Sequence, residues 1–155
     1  MSLDQAAVIR KVRQLVGTVE GIAAAYSAAD SGDARLPAGI TLAEGAAALV
    51  VPGATLEYVL QPGKHRHTYE VQVQVLTNGG DVGVNTAQMA PMPDRVLEVM
   101  ALNTRLGNLV TFIKFSRSQG LREFEYAGAD NYSGYELVFI ASEEASAQPE
   151  VGSNG

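Results

Sequence analysis

The segment from Tyr69 to Val75 most constrains the fold, because apolar and polar side chains alternate along it without a break. Tyr69 and three valines take every second position, with one glutamate and two glutamines between them: Tyr69, Glu70, Val71, Gln72, Val73, Gln74 and Val75. Successive side chains of a β-strand point to opposite faces, so this pattern places the valines on one face and the polar groups on the other. The segment is predicted to be a strand with one buried face.

Two shorter apolar runs precede this strand, from Ala47 to Val51 and from Thr55 to Leu60. Pro52-Gly53 follows the first run and Pro62-Gly63 follows the second. Pro-Gly pairs are typical of tight turns, and short turns between successive strands favour antiparallel pairing. The three runs are therefore predicted to form an antiparallel meander.

A helical pattern comes before the strands. Apolar residues recur in steps of three and four between Val8 and Tyr26, which draws one stripe along a helix. Ser2-Leu-Asp-Gln5 fits a capping box at the start of this helix, and the turn-rich segment 29–33 would end it. Gly17 and Gly21 weaken the helix and indicate a place where another backbone comes close.

A second helix is predicted after a long segment of no clear period. This segment runs from Thr77 to Pro93, and loops of such length in compact domains usually have a function or are disordered. The helix is predicted from Asp94 to Leu106, because Pro93 suits a first helical turn and Gly107 suits a helix end.

Two or three strands are predicted to close the domain. Leu109 to Phe115 is one, a short alternating stretch around Phe124 is another, and Glu136 to Ala141 is the last. The last strand is apolar almost throughout, which indicates burial on both faces, within the fold or against a neighbouring chain. From Ser142 onward the chain becomes acidic and poor in apolar residues, as disordered segments are.

The predicted architecture is an α+β fold with a mostly antiparallel sheet of about five to six strands packed with two helices. The order is one helix, three strands, one helix and two or three strands. A single domain is expected over residues 1–141, with a disordered acidic tail over residues 142–155. A chain of 155 residues is long enough to bury one core of this kind.

The composition excludes several classes of function. The formal charge of −6 and the pI of about 4.8 do not suit a surface that must neutralise phosphates, although an acidic wall could let DNA slide past without sticking. There is no cysteine, no apolar run long enough to span a bilayer and no signal-peptide pattern. We find no nucleophile, acid–base or phosphate-binding motif, so neither an enzyme nor a cofactor site is expected.

His65 and His67 are the one candidate for a metal site. Two histidines that lie two positions apart on a strand share a face, as metal ligands must. The chain has no third histidine, and Glu70 is an odd number of positions away, so it would face the other side. The favoured interpretation is a solvated basic strand start, and no metal site is predicted.

The order of these segments resembles that of the tail terminator, or tail completion, proteins of long-tailed bacteriophages. The motifs that carry the resemblance are Leu49-Val-Val-Pro-Gly53, His67-Thr-Tyr-Glu-Val-Gln-Val-Gln-Val75, Asp94-Arg-Val-Leu-Glu-Val-Met100, the segment from Tyr126 to Tyr135, and the strand from Glu136 to Ile140. The likeness covers about residues 5–141.

The resemblance implies a structural virion protein without catalytic residues. Such subunits form a ring, typically a hexamer, which caps the tail tube, joins it to the head and leaves a channel for DNA. The implied partners are further copies of the chain, the tail tube protein and a head-closure or connector protein, with no membrane. The implied location is the tail–head junction of the virion, after assembly in the host cytoplasm.

Candidate residues for contacts between subunits come from three features. They are a small basic patch, polar and methionine residues of the long loop, and the last strand: Arg10, Lys11, Arg13, Asp81, Met89, Met92, Val138 and Ile140. The loop from Asn78 to Pro91 is expected to be mobile in the free subunit and to order on assembly, because its glycines raise the entropy cost of fixing it. The alternatives are a head-closure or connector protein, a small metal- or ligand-binding module centred on His65 and His67, and an accessory subunit without a phage role.

Overall fold

The computed structural model describes residues 3–32, 35, 46–78, 87, 89–125 and 131–145. Two helices and five strands occur in this part of the chain, in the following order: α1 (Gln5–Val16), β1 (Ile22–Ser27), β2 (Ala46–Gln61), β3 (Lys64–Asn78), α2 (Met92–Ala101), β4 (Phe112–Glu125) and β5 (Asn131–Ala145). The strands form one sheet in the order β1-β2-β3-β5-β4. Only the β1–β2 pair is parallel. The predicted α+β class, with two helices and a mostly antiparallel sheet, is confirmed.

Both helices lie on one face of the sheet and share a single core. Side chains of α1 and α2 pack there against alternate residues of the strands, among them Val71, Val73 and Val75. The predicted placement of the apolar side chains of β3 on one buried face is therefore correct. A small second cluster covers part of the opposite face: Ala47, Leu49, Leu76 and Tyr132, with Tyr26 packed against it.

The first helix ends at Val16, ten residues before Tyr26, the last residue of the predicted apolar stripe. Gly21 has φ +97°, which a right-handed helix does not allow, and its Cα faces the Met92 side chain with no room for a Cβ. The residues after Gly21 form β1, which pairs in parallel with β2. Gly21 is closely approached, but by the Met92 side chain and not by the predicted backbone. The predicted helix beyond Val16 is wrong, because the apolar steps continue across a change of structure.

The start of α1 also differs from the predicted capping box. The N-cap is Asp4, whose Oδ1 accepts a hydrogen bond of 3.0 Å from the Ala7 N–H. Asp4 is a strong N-cap residue, because its carboxylate satisfies a free N–H of the first turn. Ser2, the predicted cap, lies outside the described residues.

Pro52-Gly53 does not form a turn. The two runs predicted on either side of it belong to one strand, β2, whose pairing with β3 shifts register between Pro52 and Glu57. A proline is tolerated within a sheet at such an irregularity, where a ladder hydrogen bond is already missing. Pro62-Gly63 does form the predicted turn, in which Gly63 has φ +79°, and it closes the β2–β3 hairpin.

Three other boundaries move. The second helix spans Met92–Ala101 and not Asp94–Leu106. Leu102 is its C-cap and turns follow, in which Leu106, Gly107 and Asn108 have positive φ angles of 47°, 65° and 71°. The strand predicted from Leu109 to Phe115 and the following stretch form the single strand β4. The chain therefore has five strands in its described part, within the predicted range.

The last strand continues to Ala145, so the predicted tail cannot start at Ser142. Ser142 pairs with both β3 and β4, and residues 143–145 pair with β3. The rest of the predicted tail lies outside the described residues. The predicted burial of both faces is largely correct, because Leu137 and Phe139 on one face and Val138 on the other are at most 2% exposed, although Ile140 is only half-buried.

The helices are too short to cover the sheet. Helices of 12 and 10 residues extend about 18 and 15 Å, whereas the 16 residues of β2 extend on the order of 50 Å. The first half of β2 is buried, and the half beyond Pro52 is mostly exposed. The outer half of the β2–β3 hairpin is therefore an uncovered extension of the sheet.

Candidate functional site

The predicted interface residues do not form one surface. Met89, Met92 and Val138 are 0%, 3% and 1% exposed, so the fold of the subunit already buries them. Both methionines, predicted as candidates for contacts between subunits, belong to the main core of the subunit. Ile140 is half-buried. Asp81 and most of the loop from Asn78 to Pro91 lie outside the described residues, so the mobility of that loop stays a prediction.

The basic patch on α1 mainly binds the loop that follows β1. The Arg10 guanidinium donates to the Ala29 carbonyl oxygen at 3.2 Å. Arg13 Nε lies 2.7 Å from Asp30 Oδ2, a close ionic contact in which the N–H is not well aligned with the oxygen. Lys11 is half-buried on the same helix. Two of the three basic residues thus have an intramolecular role, and this weakens the argument that the patch serves a neighbouring subunit.

Beside the histidines lies a buried polar cluster that sequence reasoning missed. Glu143 of β5 is 3% exposed, and its two carboxylate oxygens accept hydrogen bonds from the Asp4 N–H at 2.7 Å and from the Tyr69 hydroxyl at 2.8 Å. The carboxylate lies at the N-terminus of α1, where the helix dipole favours negative charge. Burial, followed by the hydrogen bond and the charge of Glu143, raises the pKa of Tyr69, so its hydroxyl remains a donor.

The sequence carries a partial signal for the position of Glu143 on the buried face of β5. The period of two that starts at Leu137 continues through Phe139 and Ala141 to Glu143. A charged residue after an apolar run looks like the start of a tail, and the alternation alone gave no reason to bury a carboxylate. The assignment of Glu143 to a disordered tail without any chemical role is therefore corrected.

The histidine pair, His65 and His67, lies on the outer hairpin, and both residues face the side that carries the helices. His65 Nε2 is 2.7 Å from the Tyr58 hydroxyl, and His67 Nε2 is 3.0 Å from Thr55 Oγ1. The Tyr58 ring contacts both imidazoles, with centroids at 5.3 and 5.0 Å. One nitrogen of each ring is thus engaged by a hydroxyl. Among the described residues, no group of three or more His, Cys, Asp or Glu is placed to hold a metal ion.

The opposite face of the sheet carries an ion pair at its centre. Arg117 Nη1 of β4 donates to Glu70 Oε2 of β3 at 2.6 Å. Glu70 is 8% exposed, whereas the Arg117 side chain is about half exposed. The hydrogen bond from Arg117 lowers the pKa of Glu70, and Glu70 raises the pKa of Arg117. The pair ties an outer strand to the middle of the sheet across β5.

Exposed apolar side chains stand on the outer half of β2. We call Leu56, Tyr58 and Leu60 the hairpin ridge; they are 50%, 55% and 73% exposed. Tyr58 pairs with His67 and Leu60 with His65, so these two ridge side chains share one face of the hairpin. Tyr58 and Leu60 thus present neighbouring exposed apolar surface, which is a candidate for an interaction site. The ridge is the first half of a candidate assembly site.

An apolar groove lies between α2 and the strands β4 and β5. Its volume is about 330 Å³. Its walls are largely aliphatic and aromatic, with one lysine at the side: Leu97, Met100, Ala101, Thr104, Ile113, Lys114, Phe115 and Phe139. The Phe115 side chain in this groove is 43% exposed, and its ring makes an edge contact with the Phe139 ring, with the ring centroids 5.8 Å apart. The groove is the second half of the candidate assembly site.

Comparison with protein-family models and with curated proteins finds no match for this chain. No helix in the described residues is long and apolar enough to cross a membrane.

Proposed function

We propose that this protein is a ring-forming structural subunit that caps the tail tube of a long-tailed bacteriophage and joins it to the head. The resemblance in the order of its segments supplies the class. The observation that carries the proposal is the hairpin ridge, where three large apolar side chains stand at least half exposed on an extension that the helices do not cover. Such a surface gains free energy when another molecule covers it.

The charge of the chain agrees with a role around a DNA channel. A net charge of −6 does not hold a polyanion, and repulsion from the wall lets DNA pass without sticking. Six copies in a ring would carry six times this charge. The tail tube protein and a head-closure or connector protein would contact the two ends of that ring.

Tail assembly with and without this chain tests the proposal. Tails made in its absence should have tubes of uncontrolled length, and tails made in its presence should have one length and carry the protein at the head-proximal end in electron micrographs. Tails of normal length that fail to join heads would favour the head-closure alternative. Absence of the protein from purified tails would overturn the proposal.

A further inference from the structure

The hairpin ridge and the apolar groove of one subunit cannot meet. Tyr58 and Leu60 of the ridge face the side of the sheet that carries the helices, as the groove does, but they are on β2, whereas the groove is on β5 and β4, two and three strands away. At about 4.8 Å per strand, this separation is about 10 to 14 Å across the sheet. The two surfaces are also offset along the strand direction. Phe139 of β5 lines the groove, whereas the level of Tyr58 on the ridge corresponds to Glu143, four positions further along β5.

We propose that the hairpin ridge of one subunit binds in the apolar groove of a second copy of this chain. The inference builds on the proposed ring function, since it names the surfaces through which neighbouring subunits would meet. A contact between two different surfaces of the same protein is heterologous, and it closes into a ring when the rotation between subunits allows.

The dimensions of the two surfaces agree. A cavity of about 150 Å³ holds one benzene molecule, so the groove of about 330 Å³ holds two large side chains such as Tyr58 and Leu60. These two residues are two positions apart on a strand, about 7 Å. Leu97 and Ala101, which line the groove on α2, are four positions apart on a helix, about 6 Å.

The area of the contact explains why it would act in a closed ring. The ridge offers on the order of a few hundred Å², below the roughly 800 Å² per partner of a stable interface. An isolated pair of subunits therefore associates weakly. In a ring every subunit contributes both its ridge and its groove, so that each subunit makes two contacts at once and the assembly gains effective concentration.

Disulfide cross-linking tests the contact directly, because the chain contains no cysteine. Leu60→Cys places a thiol on the ridge, and Ala101→Cys places one at an exposed position of the groove. When the two single variants are mixed at high concentration and oxidised, a mixed dimer should form. A tag on one variant separates it by mass from like pairs. The double variant should give a ladder whose last band reports the ring size.

Glu98→Cys is the matched control, because Glu98 is exposed on the same helix but lies beside Thr18 and Glu20, away from the groove. Its mixed dimer with Leu60→Cys should be much less abundant. Equal yields from the groove and control positions would overturn the proposal, as would the absence of any mixed dimer, including a result in which the protein stays monomeric at every concentration.

A second measurement uses substitutions on the hairpin without cross-links. Leu60→Asp should weaken self-association in sedimentation experiments about ten- to hundredfold, because a buried leucine is replaced by a charge. Gln61→Asp adds the same charge at the neighbouring exposed position and should leave association nearly unchanged. Both variants should unfold at the temperature of the wild type, since both positions are exposed. If Leu60→Asp associated as strongly as the wild type in the sedimentation experiment, the contact would be refuted.

The outcomes also separate this inference from the proposed function. If ridge-to-groove cross-links form but tails assemble normally in the absence of the protein, the contact is kept and the tail role is rejected. A protein that controls tail length but shows no such cross-link would keep the tail role and reject the contact.

Discussion

Tyr69→Phe removes one hydroxyl from the buried cluster at the start of α1 and changes little else in shape. The hydroxyl donates to Glu143 Oε2 at 2.8 Å, and Tyr69 is fully buried. A hydrogen bond to a charged group contributes about 1.5–3 kcal/mol net, and a buried carboxylate that loses a donor cannot recover it from water. We therefore expect the free energy of unfolding to fall by about 2 kcal/mol.

The expected change is large enough to measure in two ways. For a chain of this size, 1 kcal/mol corresponds to about 2–4 °C in Tm, so the variant should melt about 4–8 °C below the wild type. Urea denaturation should give a lower midpoint with the same slope, because the surface exposed on unfolding is unchanged. In a Glu143→Leu background, Tyr69→Phe should cost less, since no buried charge then needs the donor.

Tyr58→Phe is the matched control. Its hydroxyl makes a hydrogen bond of similar length, 2.7 Å to His65 Nε2, but the Tyr58 side chain is 55% exposed. Water replaces an exposed partner, so this variant should lose at most about 0.5 kcal/mol. If both variants lost the same stability, or if Tyr69→Phe lost less than about 0.5 kcal/mol, the assignment of Tyr69 and Glu143 to a stabilising buried cluster would be refuted.

Three further outcomes are expected. The lowered pKa of Glu70 means that its pairing with Arg117 stabilises the fold fully above the ordinary glutamate pKa of 4.5, and that this stabilisation is lost as the pH falls through the lower pKa of the folded state. Arg117→Met should therefore reduce the free energy of unfolding at pH 7 more than in strong acid. Equal losses at the two pH values would contradict this. Gly134→Ala should destabilise the fold by at least about 2 kcal/mol, because a Cβ would strike the Val75 carbonyl oxygen of β3, whereas Gly120→Ala, with no atom near, should be neutral in thermal unfolding. Replacement of both histidines by alanine should leave folding and association intact, and stoichiometric zinc that is present in the wild type and lost in this variant would show the no-metal prediction to be wrong.

The sequence predicted the elements of the fold better than their boundaries, and the reason is periodicity. A period of two over seven residues gave β3 and its buried face correctly. The steps of three and four before Tyr26 fitted a helix equally well on both sides of Gly21, although β1 begins just after it. The decisive information is the positive φ of Gly21 and the parallel pairing of β1 with β2, and a linear pattern contains neither.

The candidate site was harder to predict because exposure depends on what the neighbouring elements can reach. Leu56, Tyr58 and Leu60 alternate along a strand as core residues do, and the sequence alone would bury them. They are exposed because about 18 Å of helix cannot cover a far longer hairpin. Met89, by contrast, sits in a glycine-rich segment that looks unable to hold it, yet it is fully buried. Element lengths, compared before residues are assigned to core or surface, would have placed the outer hairpin on the surface, but they carry no information on the burial of Met89. The same comparison explains why an assembly surface would arise on the hairpin, since it is the part of the sheet that no helix of the subunit can cover.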